Sequence, residues 1–252
     1  MINILSNAEI AKMQRSGDIL REVLLYLKEQ CAAGMTTAEL DRLAGEKIRS
    51  YGAKAAFLGV PAEGTYDFPG NVCISINEEV VHGIPGKRVI HEGDLVSVDA
   101  GVDLDGWITD AARTFMIGDV SDEARRLVEY TEKSFFAGIE QAVEGNRVGD
   151  ISKAIEDVIV EGGYTAVRDL TGHGVGKTLH EDPSIPNFVT NRKGPRLQAG
   201  MSLAVEPMVN MGGYEVGWMD NGWTVETMDD SLSAHFENTI IVTKDKPIII
   251  TM

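Results

Sequence analysis

The chain sets out one series of elements twice, and this repetition constrains its fold more than any single motif. In the first half, SNAEIAKMQRSGDILREVLLYLKEQC opens with Ser6 and Glu9 in the spacing of a capping box, which satisfies the free N–H groups of a helix start. Apolar Ile10, Met13, Leu20, Leu24, Leu27 and Cys31 then recur on one helical face. Thr36 and Glu39 repeat the start signal, and Leu40, Leu43, Ala44, Ile48 and Tyr51 form a second stripe. The loop GVPAEGTYDFPGN leads to the strand-like VCISI and a strand pair over residues 94–114. After Gly118 the series returns. Ser121 starts a helix with Ala124, Leu127, Val128, Thr131, Phe135 and Ile139 inward, and Asp150 starts another with Ile151, Ile155, Val158 and Ile159. MSLAVEPMV, GWTVET and FENTIIVT then read as strands. Two rounds of helix, helix and strands predict an α+β fold with helices covering one face of a curved sheet. No low-complexity linker separates the rounds, so one domain over 1–252 is expected, with halves of about 1–118 and 119–252.

The strand pair DLVSVDAGVDLDGWITDAART poses an electrostatic problem. Leu95, Val96 and Val98 lead in, Asp103-Leu104-Asp105-Gly106 supplies turn chemistry, and Trp107, Ile108 and Phe115 lead out. Asp99 lies inside the first strand and Asp110 inside the second. A two-residue loop at Leu104-Asp105 would set them directly opposite each other, and a bulge at Gly106 would slip that register by about one residue. Like charges so placed repel, and carboxylates in apolar strands need partners.

Composition narrows what those partners are. With 43% hydrophobic and 25% charged residues, the 252-residue chain can bury a sizeable core. Its 23 Lys+Arg against 39 Asp+Glu give a net charge of −16, which argues against nucleic acid or an anionic membrane as partner. The same charge suits cations, and it also serves plain solubility. Two cysteines, Cys31 and Cys73, imply no disulfide framework. MINILSNAEIAKMQRSG has no signal-peptide core and no apolar run is long enough for a bilayer, so a cytoplasmic location is expected.

The second half carries matching polar residues. TGHGVGKTLHEDP places His173 between glycines and His180 seven residues later. Its GKT imitates a phosphate loop, but the preceding glycine is one residue too close and no helix signal follows. Glu206 lies in LAVEPMV and Glu237 in HFENTIIV. One strand glutamate is ordinarily solvent-facing and one histidine ordinarily structural. Two aspartates, two glutamates and a glycine-flanked histidine in apolar surroundings instead suggest a pair of divalent cations. Oxygen-rich ligation plus an imidazole suits Mn, Fe, Co or Zn.

NVCISINEEVVHGIPG, VDAGVDLDGWITDAARTF, TGHGVGKTLHEDP, GPRLQAGMSLAVEPMV and DNGWTVETMDDSLSAHFENTIIVT together resemble the type I methionine aminopeptidases. The likeness covers nearly the whole chain. It implies the pita-bread fold, a curved antiparallel sheet covered by two pairs of helices with pseudo-twofold duplication. It implies two metal ions held by Asp99, Asp110, His173, Glu206 and Glu237, with Asp110 and Glu237 bridging, Asp99 on one ion, and His173 and Glu206 on the other. His173 and Glu206 are 33 residues apart, too close for the helical insertion of type II enzymes.

The implied reaction removes the initiator methionine from nascent chains whose second residue is small, through a hydroxide activated between the metals. Glu206 is the implied proton acceptor, His180 the donor to the oxyanion, and His82 the contact to the scissile amide or the residue after it. Phe68, Cys73, Leu179 and Trp223 form the implied methionine pocket. His91 takes no role. The implied partners are nascent-chain N-termini near the ribosome, and a monomer is expected.

Three places depart from the family pattern. Thr65 stands where an aromatic is common. Glu237 is followed by Asn238 where histidine is usual, with His235 two residues before it, and PNFVTNRKGPRL replaces a glycine-rich loop. Two alternatives remain at this point, an Xaa-Pro peptidase and a non-catalytic binding module of the same fold. Against the first stands the absence of the large N-terminal domain usual in those enzymes; against the second stands retention of all five ligands.

Overall fold

The computed structural model describes residues 2–62 and 64–252; the first residue of the expected domain and Glu63 of the GVPAEGTYDFPGN loop lie outside the described residues. Helices α1 (Asn7–Gln30) and α2 (Thr37–Ser50) each begin with the expected capping box, at Ser6–Glu9 and Thr36–Glu39. Helix α3 (Asp122–Ile139) is capped by Ser121, whose Oγ accepts from the Ala124 N–H. Helix α4 (Val148–Gly162) starts earlier than expected. Arg147 is its N-cap, and Asp150 sits three residues in, accepting from the Arg147 N–H. An Asp three residues into a helix closes the cap from inside, so its start signal had been read one turn late. Tyr51 is 40% exposed rather than part of the α2 stripe, because the helix has already ended there.

Alternation along the strands decides what faces what. The hairpin pairs Leu95–Leu104 with Trp107–Met116, and its even-numbered Val96, Val98, Ala100 and Val102 pack under α1 and α2 with Leu20, Leu24, Leu40 and Ile48. Ala111 and Phe115 of the return strand join that core. Asp99 and Asp110 must therefore lie on the other face. The second half repeats the arrangement. Leu203 and Val205 of Ser202–Val205, with Ile240 of Asn238–Ile241, pack against Leu127, Phe135, Ile151 and Ile155 of α3 and α4. Glu206 and Glu237 fall on the face turned away from those helices. They do not lie within strands as expected, but one residue beyond Val205 and one before Asn238.

Every ladder between named strands of the described residues is antiparallel. One sheet orders Ile248–Ile249, Asn238–Ile241, Ser202–Val205, Gly172–Gly174 and Glu181–Ile185. The two halves are stitched at the centre by a reciprocal backbone pair. The Ala112 N–H donates to the Glu237 carbonyl at 3.3 Å, and the Glu237 N–H to the Ala112 carbonyl at 3.0 Å. Each half thus carries helices outside and carboxylates inside.

The hairpin register corrects the sequence reading. Leu104 pairs with Trp107, so the loop is Asp105-Gly106, not Leu104-Asp105. Both loop residues have positive φ, 54° and 75°, as the type I′ turn requires. The resulting partners are Asp99 with Ala112 and Asp110 with Gly101, so the two aspartates are diagonal rather than opposite. A shift of two residues relieves their direct opposition and keeps both on one face.

Candidate metal and peptide-binding site

The inward faces of the two halves enclose a cavity of about 310 Å³. Asp99, Asp110, His173, Glu206, Glu237, His82, His180, Phe68, Cys73, Leu179 and Trp223 all line it. Residues drawn from six separate stretches of sequence are thereby brought together.

Local structure explains each placement. His173 occupies a short strand between Ser202–Val205 and Glu181–Ile185, paired with Ala204. A Cβ at Gly172 would stand 2.5 Å from the Ala204 carbonyl oxygen, and one at Gly174 would stand 2.2 Å from that of Asp182. The flanking glycines are what allow the histidine strand so close to both neighbours. His173 Nε2 lies 3.4 Å from Glu206 Oε1 and 3.9 Å from Asp110 Oδ2, while its Nδ1 contacts the Gly174 carbonyl at 2.9 Å. The GKT segment forms a turn running into Glu181–Ile185, so no helix follows it and the phosphate-loop imitation ends there.

His180 leaves that turn at the exposed rim of the cavity, its ring edge-on to His173 with centroids 4.5 Å apart. His82 follows Glu79–Val81 with a φ of 57°, and its carbonyl accepts from Thr224 Oγ1 at 3.4 Å.

At the other end the lining is apolar. Phe68 and Cys73 are buried, Leu179 and Trp223 pack against them, and the Phe68 and Trp223 rings meet edge to face at 5.1 Å. Trp223 Nε1 donates to the Tyr66 carbonyl at 2.8 Å, which fixes the indole while leaving its face to the cavity. Cys73 pairs with Asp99 in the ladder, so the apolar end directly adjoins the carboxylates. Thr65, where an aromatic was expected, lies against Gly222 beside Trp223.

Sequence reasoning did not single out Phe57, Val60, Val81, Leu170, Thr171 and Met208, which also line the cavity. Uncharged residues of loops and strand ends carry no local signal that separates a pocket wall from core. His235 was noted only as a departure from pattern, yet its Nε2 is 3.7 Å from Glu206 Oε2.

The electrostatics suit metal ions. Burial pushes the Asp99 carboxyl up to about 7, and burial together with neighbouring carboxylates pushes Asp110 and Glu237 well above their ordinary values. Glu206 is raised by burial and by Asp99. The imidazoles move the other way. Burial lowers His82 and His173 to about 4 and His235 to about 3, so these rings are neutral and offer lone pairs. Burial also lowers His180. Asp99 Oδ1, Asp110 Oδ1 and Glu237 Oε1 are buried without a hydrogen-bond partner among the described residues. Donor atoms of Asp110, His173 and Glu237 lie within 4.8 Å of one another, as do those of Glu206, His235 and Glu237. Orphaned buried oxygens, mutually repelling carboxylates and neutral imidazoles fit hard to borderline divalent cations.

These shifts set a pH dependence for the metal-free protein. A carboxyl raised above its unfolded value contributes stability at low pH that is lost as pH rises through the folded value. A histidine lowered below 6.5 contributes stability above that pH, lost as pH falls. Between about pH 7.5 and about pH 8.5, where histidines of the unfolded chain have already lost their protons, the carboxyls alone change, so the metal-free Tm should fall across this interval. The Tm gain on adding divalent metal should grow over the same interval, because metal competes with protons for the same oxygens. Calorimetry at several pH values checks both. A metal-free Tm that rises from about pH 7.5 to about pH 8.5 would contradict the shifts.

The comparisons agree with this chemistry. The family profile described as Metallopeptidase family M24 matches residues 11–244. A methionine aminopeptidase from Clostridium perfringens is 49% identical over 252 residues, covering 100% of this chain and 99% of that protein. The crystal structure of methionine aminopeptidase from Rickettsia prowazekii superposes with a TM-score of 0.96 at 40% identity, covering 100% of both chains. A prolidase from Pyrococcus furiosus shares the fold at a TM-score of 0.77 and 20% identity, with 99% of this chain matching 65% of that one. The fold is the α+β pita-bread fold of these neighbours. With four carboxylates and His173 around one cavity, and a profile match running from the first helix past the Asn238–Ile241 strand, the chain belongs to metallopeptidase family M24.

Proposed function

We propose that the protein removes N-terminal methionine from nascent polypeptides whose second residue is small. The observation carrying this reading is the two-ended cavity, with a pocket of Phe68, Cys73, Leu179 and Trp223 directly beside the carboxylate and histidine cluster. A thioether is apolar and polarisable, which suits a lining of aromatic rings, an aliphatic chain and an uncharged thiol. Burial and the neighbouring carboxylates push the Cys73 thiol well up, so it lines the pocket and does not act as a nucleophile.

Asp99, Asp110, His173, Glu206 and Glu237 would hold two divalent ions, Co, Mn, Fe or Zn. When bound, the ions supply Lewis acidity and lower the pKa of water. The chain's own residues do the rest. The apolar pocket seats the methionine side chain so that its carbonyl faces the cluster. Glu206 accepts the proton of the attacking water. His180, at the rim beside His173, donates to the carbonyl oxygen as negative charge develops. His82 contacts the scissile amide or the second residue, and Trp223 borders its ring at 6.3 Å. The chain acts as one catalytic domain of duplicated halves, a reading supported by the two helix pairs and the Ala112–Glu237 join. Its substrate would meet it in the cytoplasm near the ribosome, where it would work as a monomer. Both cysteines are free, and no helix among the described residues is long and apolar enough to cross a membrane.

The test is selectivity. Met-Ala-Ser should be cleaved in a metal-dependent manner, Met-Lys-Ser spared, and an Ala-Pro dipeptide left intact. One misfitting side chain changes kcat/KM by roughly 10–200-fold, so a difference of that order is expected between the two methionyl peptides. Comparable kcat/KM for both, or preferred cleavage of Ala-Pro, overturns the reading.

A further inference from the structure

His235 stands outside the expected ligand set, yet its geometry points into the metal cluster. Its strand, Ser233–His235, pairs with Met208–Asn210, setting His235 opposite Met208 of the cavity wall. In an extended chain, residues two apart share a face, so His235 and Glu237 project the same way. The His235 backbone is already satisfied through Thr114. Its N–H donates to Thr114 Oγ1 at 2.9 Å, and Thr114 Oγ1 donates to its carbonyl at 2.9 Å. The ring has no such partner. It is 1% exposed, and neither Nδ1 nor Nε2 has a hydrogen-bond partner among the described residues. A buried structural histidine ordinarily bonds through at least one ring nitrogen, since leaving both unsatisfied carries a desolvation cost.

The nearest acceptor-rich group is Glu206, whose two oxygens are flanked by two imidazoles. His173 Nε2 lies 3.4 Å from Oε1 and His235 Nε2 lies 3.7 Å from Oε2. Donor atoms of His235, Glu206 and Glu237 all fall within 4.8 Å of one another, the same closeness found for Asp110, His173 and Glu237. The two triads share Glu237.

We propose that His235 is a sixth protein ligand of the metal centre, binding through Nε2 the ion held by Glu206 and Glu237. This rests on the metal-dependent reading above. A ring so buried and uncharged presents a lone pair where an ion between Glu206 and Glu237 would sit. A second nitrogen donor shifts the centre from oxygen-loving manganese towards Fe, Co and Zn.

The experiment is X-ray absorption spectroscopy on the full chain loaded with two equivalents of zinc, which counts imidazoles directly. The parent protein should show two imidazoles per zinc pair. His173→Ala and His235→Gln should each show one. In zinc titrations His235→Gln should weaken one of two binding events by about tenfold or more, at least what loss of an outer partner of a ligand costs. His235→Ala, which cannot substitute an amide for the ring, should behave likewise, and circular dichroism identifies a variant that has failed to fold. One imidazole in the parent, unchanged in His235→Gln and lost in His173→Ala, overturns the proposal and leaves the metal centre standing. A parent protein that binds no zinc overturns the metal reading itself.

Discussion

Asp110→Asn should abolish nearly all peptidase activity and leave the protein unable to hold a metal pair. Asp110 stands 3.9 Å from His173 Nε2, and one of its oxygens is buried without a hydrogen-bond partner among the described residues. Its backbone is fixed by Thr239, whose Oγ1 accepts from the Asp110 N–H and donates to its carbonyl, both at 2.8 Å. The substitution therefore changes charge and ligation while the backbone stays in place. In the proposed reading Asp110 helps to hold the metal pair beside His173 and Glu237, so an uncharged amide there would weaken its binding. The loss in kcat should exceed the roughly 10²–10³-fold that removing a single transition-state donor costs. Stability should move oppositely in the metal-free form. Removing one of several carboxyls that raise one another's pKa relieves repulsion, so metal-free Asp110→Asn should melt no lower than the metal-free parent at about pH 8. Elemental analysis and calorimetry check the two halves. Full activity, or a bound metal pair, in Asp110→Asn refutes the assignment.

His180→Ala should separate chemistry from metal binding. The ring contacts His173 edge-on but belongs to neither group of clustered donor atoms. It sits at the rim, where a substrate carbonyl facing the cluster would meet it. If its donation strengthens as charge develops, its loss appears in kcat, by about ten- to a thousandfold. KM should change much less where it reports binding. Metal content should stay at the parent level, whereas His173→Ala, which keeps the other ligands, should hold less metal than the parent as isolated. A His180→Ala protein that also loses metal makes the ring a ligand or a structural prop of His173. One that keeps full kcat has no catalytic histidine at this position.

What was legible in the sequence is what short-range physics governs. Capping boxes at Ser6–Glu9 and Thr36–Glu39, apolar stripes of period 3.6 and turn residues at 103–106 act within a few residues, so they can be read in order. The carboxylates and His173 were visible because charged groups in apolar strands require compensation, and the family resemblance extended them to eleven of the seventeen residues that line the cavity. Even there, local cues misplaced details. Asp150 marked the inside of a cap rather than its start, and the turn lay at Asp105-Gly106.

Tertiary structure alone decided the rest. That Asp99 and Asp110 lie diagonal follows from positive φ at both loop residues, which composition permits but does not impose. That Glu206 and Glu237 meet them follows from two helix pairs each claiming the opposite strand face, across 96 or more residues of chain. That Phe57, Leu170 and Met208 are cavity wall rather than closed core depends on which elements pack beside them, which no local pattern states. His235 shows the limit most clearly. Its spacing from Glu237 is written in the sequence, but the absence of any other partner for its ring exists only once every surrounding strand is in place.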